Sequence, residues 1–290
     1  MPGVGKPAPP RAGTEKAGEK GPAFWELFAG KGGVTKAVRE ALAGTGHQVW
    51  DPLDKHGARE SWDLTKDDVF VETLEKIRRH RPMWIHMAPP CRTFTRARDG
   101  RRDGGPGRLR SDAKPEGWGP EAEEGNLLAL RAEAFAEEQE KGGRLFTIEH
   151  PLHSYMWDLK PFKKRRKDGR GTLVALDQCA FGAPHQKPTG LLTNGECFHA
   201  LAKRCREAPK HTHVPLRGKV WDEANKSEVW RTSLAAAYPE GMCRAMAEAF
   251  SRHLRAGRPA REGTKETRRT GPPEGFEKPS WNRLVRKGVA

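Results

Sequence analysis

The chain lacks any run approaching the roughly 18 consecutive apolar residues that a membrane-spanning helix requires, and its first residues show no apolar core of the signal-peptide kind. Cysteine is scarce. The five present, Cys91, Cys179, Cys197, Cys205 and Cys243, are odd in number, widely spaced and contain no Cys-x-x-Cys pair. That argues against a disulfide framework and for a reducing compartment. Internal repeats are missing too, as are the Gly-x-Gly-x-x-Gly of dinucleotide sites and the Gly-Lys-Ser/Thr of phosphate loops. These absences point to an intracellular, non-secreted protein with no membrane partner. With 35% hydrophobic and 31% charged residues, the 290-residue chain is polar yet long enough to bury a core.

What is present is positive charge, unevenly placed. Of the formal net charge of +15, residues 255–290 carry +6, RTFTRARDGRRDGGPGRLR (92–110) carries +5 and KPFKKRRKDGR (160–170) carries +6, so the rest of the core is net negative. Read as two basic loops and a tail, this pattern suits a polyphosphate partner, and a nuclear or nucleoid location. Arg92, Arg96 and Arg98 in the first loop, and Lys163, Lys164, Arg165 and Arg166 in the second, are the candidate nucleic-acid contacts. Solubility, or an import signal in KKRRK, is the alternative.

Residues 1–22 are rich in Pro, Gly and Lys and read as a disordered tail; 256–290 read as a basic, flexible tail, with Phe276 and Trp281 as docking candidates. Between them strands and helices alternate. AFWELFA (23–29) reads as a buried strand, VTKAVREAL (34–42) as a helix with Val34, Val38 and Leu42 at helical spacing, and HQVW (47–50) as a short strand. TKDDVFVETLEKIRRH (65–80) reads as a helix with Thr65 as N-cap, acids in its first turn and bases in its last. MWIHMA (83–88) and RLFTIEH (144–150) are strands on either side of a long helix closed by Gly142, TLVALDQCAF (172–181) and TGLLTN (189–194) are late strands, and GMCRAMAEAFSRHL (241–254) is a final helix. The alternation predicts a doubly wound α/β fold with a mostly parallel sheet. One domain over 23–255 is expected, as a monomer, with a loop-rich insert at 195–237.

Ligands of such folds sit at the carboxyl ends of strands. Three segments fall there. Gly30, Gly32 and Gly33 lie where the first strand hands over to the first helix, and suit either a close-bound nucleotide or a tight turn. APPCRTFT (88–95) holds Cys91 behind two prolines at the mouth of the first basic loop, whose cations would lower its pKa; a small buried hydrophobe is the bland reading. FTIEHP (146–151) places Glu149 at a third strand end, as a site carboxylate or a solvated one.

FWELFAGKGG, PPCRTFT and IEHP, in this order and one per strand end, resemble the cofactor, nucleophile and glutamate motifs of the cytosine-C5 DNA methyltransferases, and FGAPHQKPTGLLTN (181–194) is similar to a fourth motif of that family. The likeness spans about residues 24–194. It implies a sheet of the class I S-adenosylmethionine-dependent methyltransferase type. S-adenosylmethionine would lie against Phe28, Ala29, Gly30, Gly32, Gly33 and Pro89, with Asp54 (or Asp51) at its ribose and Asp63 near its adenine. Trp50 is placed to cover the adenine or to sit in the core. The resemblance also implies that Cys91 attacks cytosine carbon 6 and that Glu149 holds the base edge, with Lys187 among the nucleic-acid contacts and double-stranded DNA as partner.

The chain departs from the pattern at His150-Pro151, at Lys187 and Thr189, which stand where the family has two arginines, and in the short 195–237 span. RNA methylation, or a nucleic-acid-binding scaffold without the chemistry, are the readings those departures favour. Finally, Cys197, His199, Cys205, His211 and His213 cluster in sequence and could supply zinc ligands to a small loop-rich segment, but at no standard zinc spacing; scattered surface residues are the preferred reading, with no metal assigned.

Overall fold

Three short strands of similar construction, Phe24–Leu27 (β1), Trp84–Met87 (β2) and Leu145–Pro151 (β3), pair in parallel at the centre of the molecule, a computed structural model. The structure describes residues 21–55, 62–99, 107–207, 211–223 and 226–257. Two later strands, Thr172–Asp177 (β4) and Pro188–Thr193 (β5), complete a sheet of order β1-β2-β3-β5-β4. β5 runs antiparallel to both of its neighbours. The result is an α/β fold with a mixed, mostly parallel five-stranded sheet flanked by helices, compatible with a Rossmann-like arrangement.

The period of two in each strand sorts its side chains between two cores. Trp25, Leu27, Ile85, Met87, Phe146 and Ile148 face one cluster, with Ile77 of helix α2 (Asp67–His80) and Phe135 of helix α3 (Pro120–Lys141). Phe24, Trp84 and Leu145 face the other, with Val34 and Val38 of helix α1 (Gly33–Ala41) and Met242, Met246 and Phe250 of helix α6 (Glu240–Arg255). Each such fully buried side chain contributes about 1.5–3 kcal/mol. Both sheet faces are covered, as a doubly wound fold requires.

Several expectations are corrected. HQVW makes no strand; Val49 and Leu53 form only isolated bridges to Phe24 and Leu27. Thr65 does not cap α2. Its N–H and hydroxyl both bond to Asp63, and the helix begins after Lys66 with no side-chain cap. The basic stretch at 160–170 is largely a helix, Lys160–Lys167 (α4), rather than a loop. Its Phe162 and Arg165 are buried, three residues apart on one face, a pattern that the charge run masks. Residues 195–237 hold 3-10 turns, a two-stranded hairpin (Lys219–Asp222, β6; Ser227–Trp230, β7) and a short helix, Arg231–Leu234 (α5). The expected tails, with Phe276 and Trp281, lie outside the described residues apart from their inner ends.

Candidate functional site

β1 and β2 each carry one polar residue among apolar ones, β3 carries Thr147 ahead of Glu149 and His150, and register aligns the first of these with the other two. Glu26 pairs with His86, and His86 with Thr147, so a buried polar row crosses the sheet toward its carboxyl edge. At one end Glu26 accepts the Thr35 N–H at 2.7 Å and the Thr35 hydroxyl at 2.5 Å, tying α1 to β1. Burial pushes its carboxyl up to about 7 against those bonds.

At the other end the row leads into the site. Trp84 Nε1 donates to Thr147 Oγ1 at 2.9 Å, and that oxygen lies 2.8 Å from His86 Nδ1. His86 Nε2 lies 3.2 Å from the Tyr238 hydroxyl, which donates to Glu149 Oε2 at 3.1 Å. Burial holds the His86 imidazole neutral, its pKa lowered to about 3. One proton per link then satisfies the whole chain: Thr147 donates to Nδ1, Nε2–H to Tyr238, and Tyr238 to Glu149.

Glu149 leaves β3 buried, with Oε1 at zero hydrogen bonds and Lys187 Nζ at 4.0 Å. Burial raises its pKa, opposed by Lys187 and by the Tyr238 bond. Lys187 stands just before β5 and also donates to the Ala235 carbonyl at 3.1 Å. Cys91 follows β2, where its carbonyl accepts from Phe94 and Thr95 N–H at 3.0 Å each and closes a tight turn. Burial raises the Cys91 thiol above its ordinary value; Lys187 opposes that shift and Glu149 adds to it. The expectation that basic-loop arginines lower this pKa is therefore corrected: the net shift is upward, and the cation that acts on Cys91 is Lys187. Cys91, Glu149 and Lys187 are brought together, and Lys187 belongs with them rather than on a surface track.

The glycine turn divides its labour. Gly30 has φ 53°, and a Cβ there would meet nothing within 4 Å, so its face opens on free space. At Gly33 the missing side chain makes room for protein, since a Cβ would lie 3.0 Å from Cys243 Sγ. Gly32, also left-handed, is crowded by Pro52 at 3.2 Å. Phe28 (φ 56°) and Ala29 shape the turn, and Ala29 N donates to the Leu53 carbonyl at 3.0 Å. Asp54 accepts the Gly30 N–H at 2.8 Å and so borders the same opening, whereas Asp63 bonds within its own turn and to Lys55 at 3.2 Å. Asp51 is turned to Arg39 at 2.5 Å. Trp50 packs edge-on against Trp25 and His80, half-buried at the core margin. Pro89 is buried between β2 and Cys91.

The basic segments are in good part structural. Arg110, fully buried, donates to the carbonyls of Thr93, Pro115, Glu116 and Ala122 and to the Thr93 and Asn126 side chains, with its guanidinium 3.6 Å from the Phe94 ring centre. Arg98 is buried against Gly107 and Glu121, and Arg165 is fully buried between Glu133 and Glu140. Arg166 donates to the Trp157 carbonyl at 2.6 Å. Arg98, Arg165 and Arg166 are thus directed to the protein, where buried charge survives only when paired. Arg92 and Arg96 are exposed but engaged with Glu121 at 2.8 Å and Asp112 at 2.5 Å. The exposed charge of α4 is Lys160, Lys163, Lys164 and Lys167, along a groove of about 610 Å³ shared with Asp112, Glu116, Asp158 and Asp168.

Sequence reasoning missed Glu26, His86, Thr147 and Tyr238. For the first three the available signal was a polar residue inside an otherwise apolar strand segment. The Cys/His cluster is also rearranged. Cys179, from the 3-10 turn Gln178–Phe181, joins Cys205, His211 and His213, while Cys197 and His199 stand apart. No protein-family model matches the chain, and no curated protein matches it either. The fold and site together describe an α/β protein with a thiol, a carboxylic acid and an ammonium gathered at the carboxyl edge of its sheet. Among the described residues no helix is long and apolar enough to cross a membrane.

Proposed function

We propose that this chain is an S-adenosylmethionine-dependent cytosine-C5 methyltransferase acting on DNA, with the class I methyltransferase arrangement of its sheet. The observation that carries the reading is the convergence of Cys91, Glu149 and Lys187, from three separate strands and their flanks, around a buried carboxyl oxygen that makes no hydrogen bond. The motif resemblance supports the same assignment.

The residues fit both ligands. A cofactor would rest against Phe28, Ala29 and Gly30, whose free face no protein atom fills, with Asp54 at its rim. Bound there, S-adenosylmethionine supplies an electrophilic methyl carbon. A target cytosine has to leave the duplex stack to reach Cys91, at a cost of a few kcal/mol. The Cys91 thiolate forms a bond to carbon 6, and the ring electrons thereby displaced make carbon 5 nucleophilic. Glu149, whose pKa burial raises, gives ring nitrogen 3 its proton and neutralises the charge as it develops. A water molecule then takes the carbon-5 proton and Glu149 takes back the proton of nitrogen 3, which re-forms the double bond and expels Cys91 as thiolate. Lys187 favours the thiolate at both ends of this cycle.

The test combines calorimetric titration of S-adenosylhomocysteine with labelled-methyl incorporation into duplex DNA. Cys91→Ser is expected to keep cofactor binding and to lose transfer. Undiminished transfer in that variant, or wild-type protein that neither binds S-adenosylhomocysteine nor methylates DNA or transfer RNA, overturns the reading. Binding of DNA without the cofactor would favour the scaffold alternative; transfer to RNA alone would move the substrate class.

A further inference from the structure

We propose that Cys179, Cys205, His211 and His213 form a closed zinc site that fastens Cys205 and the segment from His211 to Val214 to the end of β4. Their ligand atoms all lie within 4.8 Å of one another. Cys205 Sγ and His213 Nε2 are 3.4 Å apart. A tetrahedral ion with Zn–S of about 2.3 Å and Zn–N of about 2.05 Å sets that edge at about 3.6 Å, so this pair already has the required spacing. The two histidine rings pack edge to face, with centres 4.5 Å apart.

The ligands come from three places in the chain, and each place is anchored. Cys179 sits in the turn directly after β4, where Gln178 N donates to the Lys187 carbonyl at 3.2 Å. Cys205 is held from behind by buried Asp177, whose Oδ2 accepts the Cys205 N–H at 2.8 Å and Arg204 Nε at 2.9 Å. Val214 N donates to the Pro184 carbonyl at 2.8 Å, which seats the histidine segment beside Cys179. All five cysteines are free thiols. Two sulfurs and two imidazoles at this spacing match the ligand preferences of zinc, whereas magnesium and calcium seek oxygen. Four protein ligands leave no position for water or substrate, so the site is structural. Binding releases the two thiol protons to solvent.

The role follows from the neighbours. The turn that holds Cys179 also holds the Lys187 backbone, so the metal would brace the start of β5 on which Lys187 depends. The site stands independently of the methyltransferase reading.

Metal content of the full-length protein, purified without chelator, is the test, with cobalt substitution as a spectroscopic readout. One zinc per chain and a cobalt d–d band typical of tetrahedral S₂N₂ coordination are expected. Cys205→Ser and His213→Ala are expected to lose both, while Cys197→Ser and His199→Ala keep them. Chelation of wild-type protein is expected to lower Tm, with recovery on adding zinc chloride. This wild-type arm decides the matter if Cys205→Ser does not fold. Stoichiometric zinc in Cys205→Ser, a Tm indifferent to chelation and zinc, or a Cys179–Cys205 disulfide in the native protein each overturns the proposal.

Discussion

The Tyr238 hydroxyl donates to Glu149 Oε2 at 3.1 Å, joining the segment before α6 to the end of β3 across the candidate site. That bond favours the charged carboxylate, so its loss raises the Glu149 pKa further. Tyr238→Phe is therefore expected to move the alkaline limb of the methyl-transfer pH profile to higher pH. It is also expected to slow transfer by about 10- to 100-fold, the equivalent of about 1–3 kcal/mol for a buried bond left unmade. Cofactor affinity by calorimetry stays unchanged. An unmoved pH limb would show that the bond does not act on Glu149.

Lys187 opposes the upward shift of the Cys91 thiol. Lys187→Met is expected to slow alkylation of Cys91 by iodoacetamide at pH 8 by roughly tenfold, one pKa unit's worth of lost thiolate. Lys187→Arg restores the rate. The measurement is peptide mass spectrometry of the Cys91 fragment over time, and equal rates in all three proteins would remove Lys187 from this role.

Glu26 has its pKa raised from 4.5 to about 7. A raised folded-state value means that its contribution to stability is fully present below pH 4.5 and is lost as pH rises toward 7. The expected loss is on the order of 3 kcal/mol over that window, at about 1.4 kcal/mol per pH unit. Glu26→Gln should flatten the denaturation midpoint against pH over this range. A slope that is unchanged in the variant would assign the dependence to other groups.

Charge on the two faces of α4 should separate cleanly. Replacing Lys160, Lys163, Lys164 and Lys167 with Gln is expected to flatten the salt dependence of duplex DNA binding by up to about 4 in log–log slope, with Tm little altered. Arg165→Gln is expected to do the reverse. It leaves Glu133 and Glu140 without their buried partner, a loss of about 3–5 kcal/mol, with little change in salt slope. DNA titrations at several salt concentrations, paired with thermal melts, distinguish the two.

How far the sequence could be read follows from where each signal is local. β1, β2 and β3 and the long α3 were legible because their apolar runs and terminal glycines or prolines are local signals. So was the placement of Cys91 and Glu149 at strand ends. The inward aim of Arg98, Arg110 and Arg165 was not, because a guanidinium reads as surface until its acceptors are known, and those come from distant carbonyls and carboxylates. The antiparallel setting of β5 was equally hidden, since an apolar hexamer carries no mark of direction. Cys179 was passed over because its partners lie 26 or more positions away in sequence.

The sheet order also fixes a timetable. β3, which holds Glu149, is synthesised before β4 and β5, and β5, the one that pairs with it, comes last of the five. Until Thr193 has left the ribosome, β3 presents a bare row of amide and carbonyl groups, the kind of edge on which stray strands pair. β4 and β5 pair with each other in antiparallel register, so the strand that covers the β3 edge is itself half of a hairpin. The chain therefore carries its own edge-sealing element, and the strand that covers this edge is the one that Lys187 leads into.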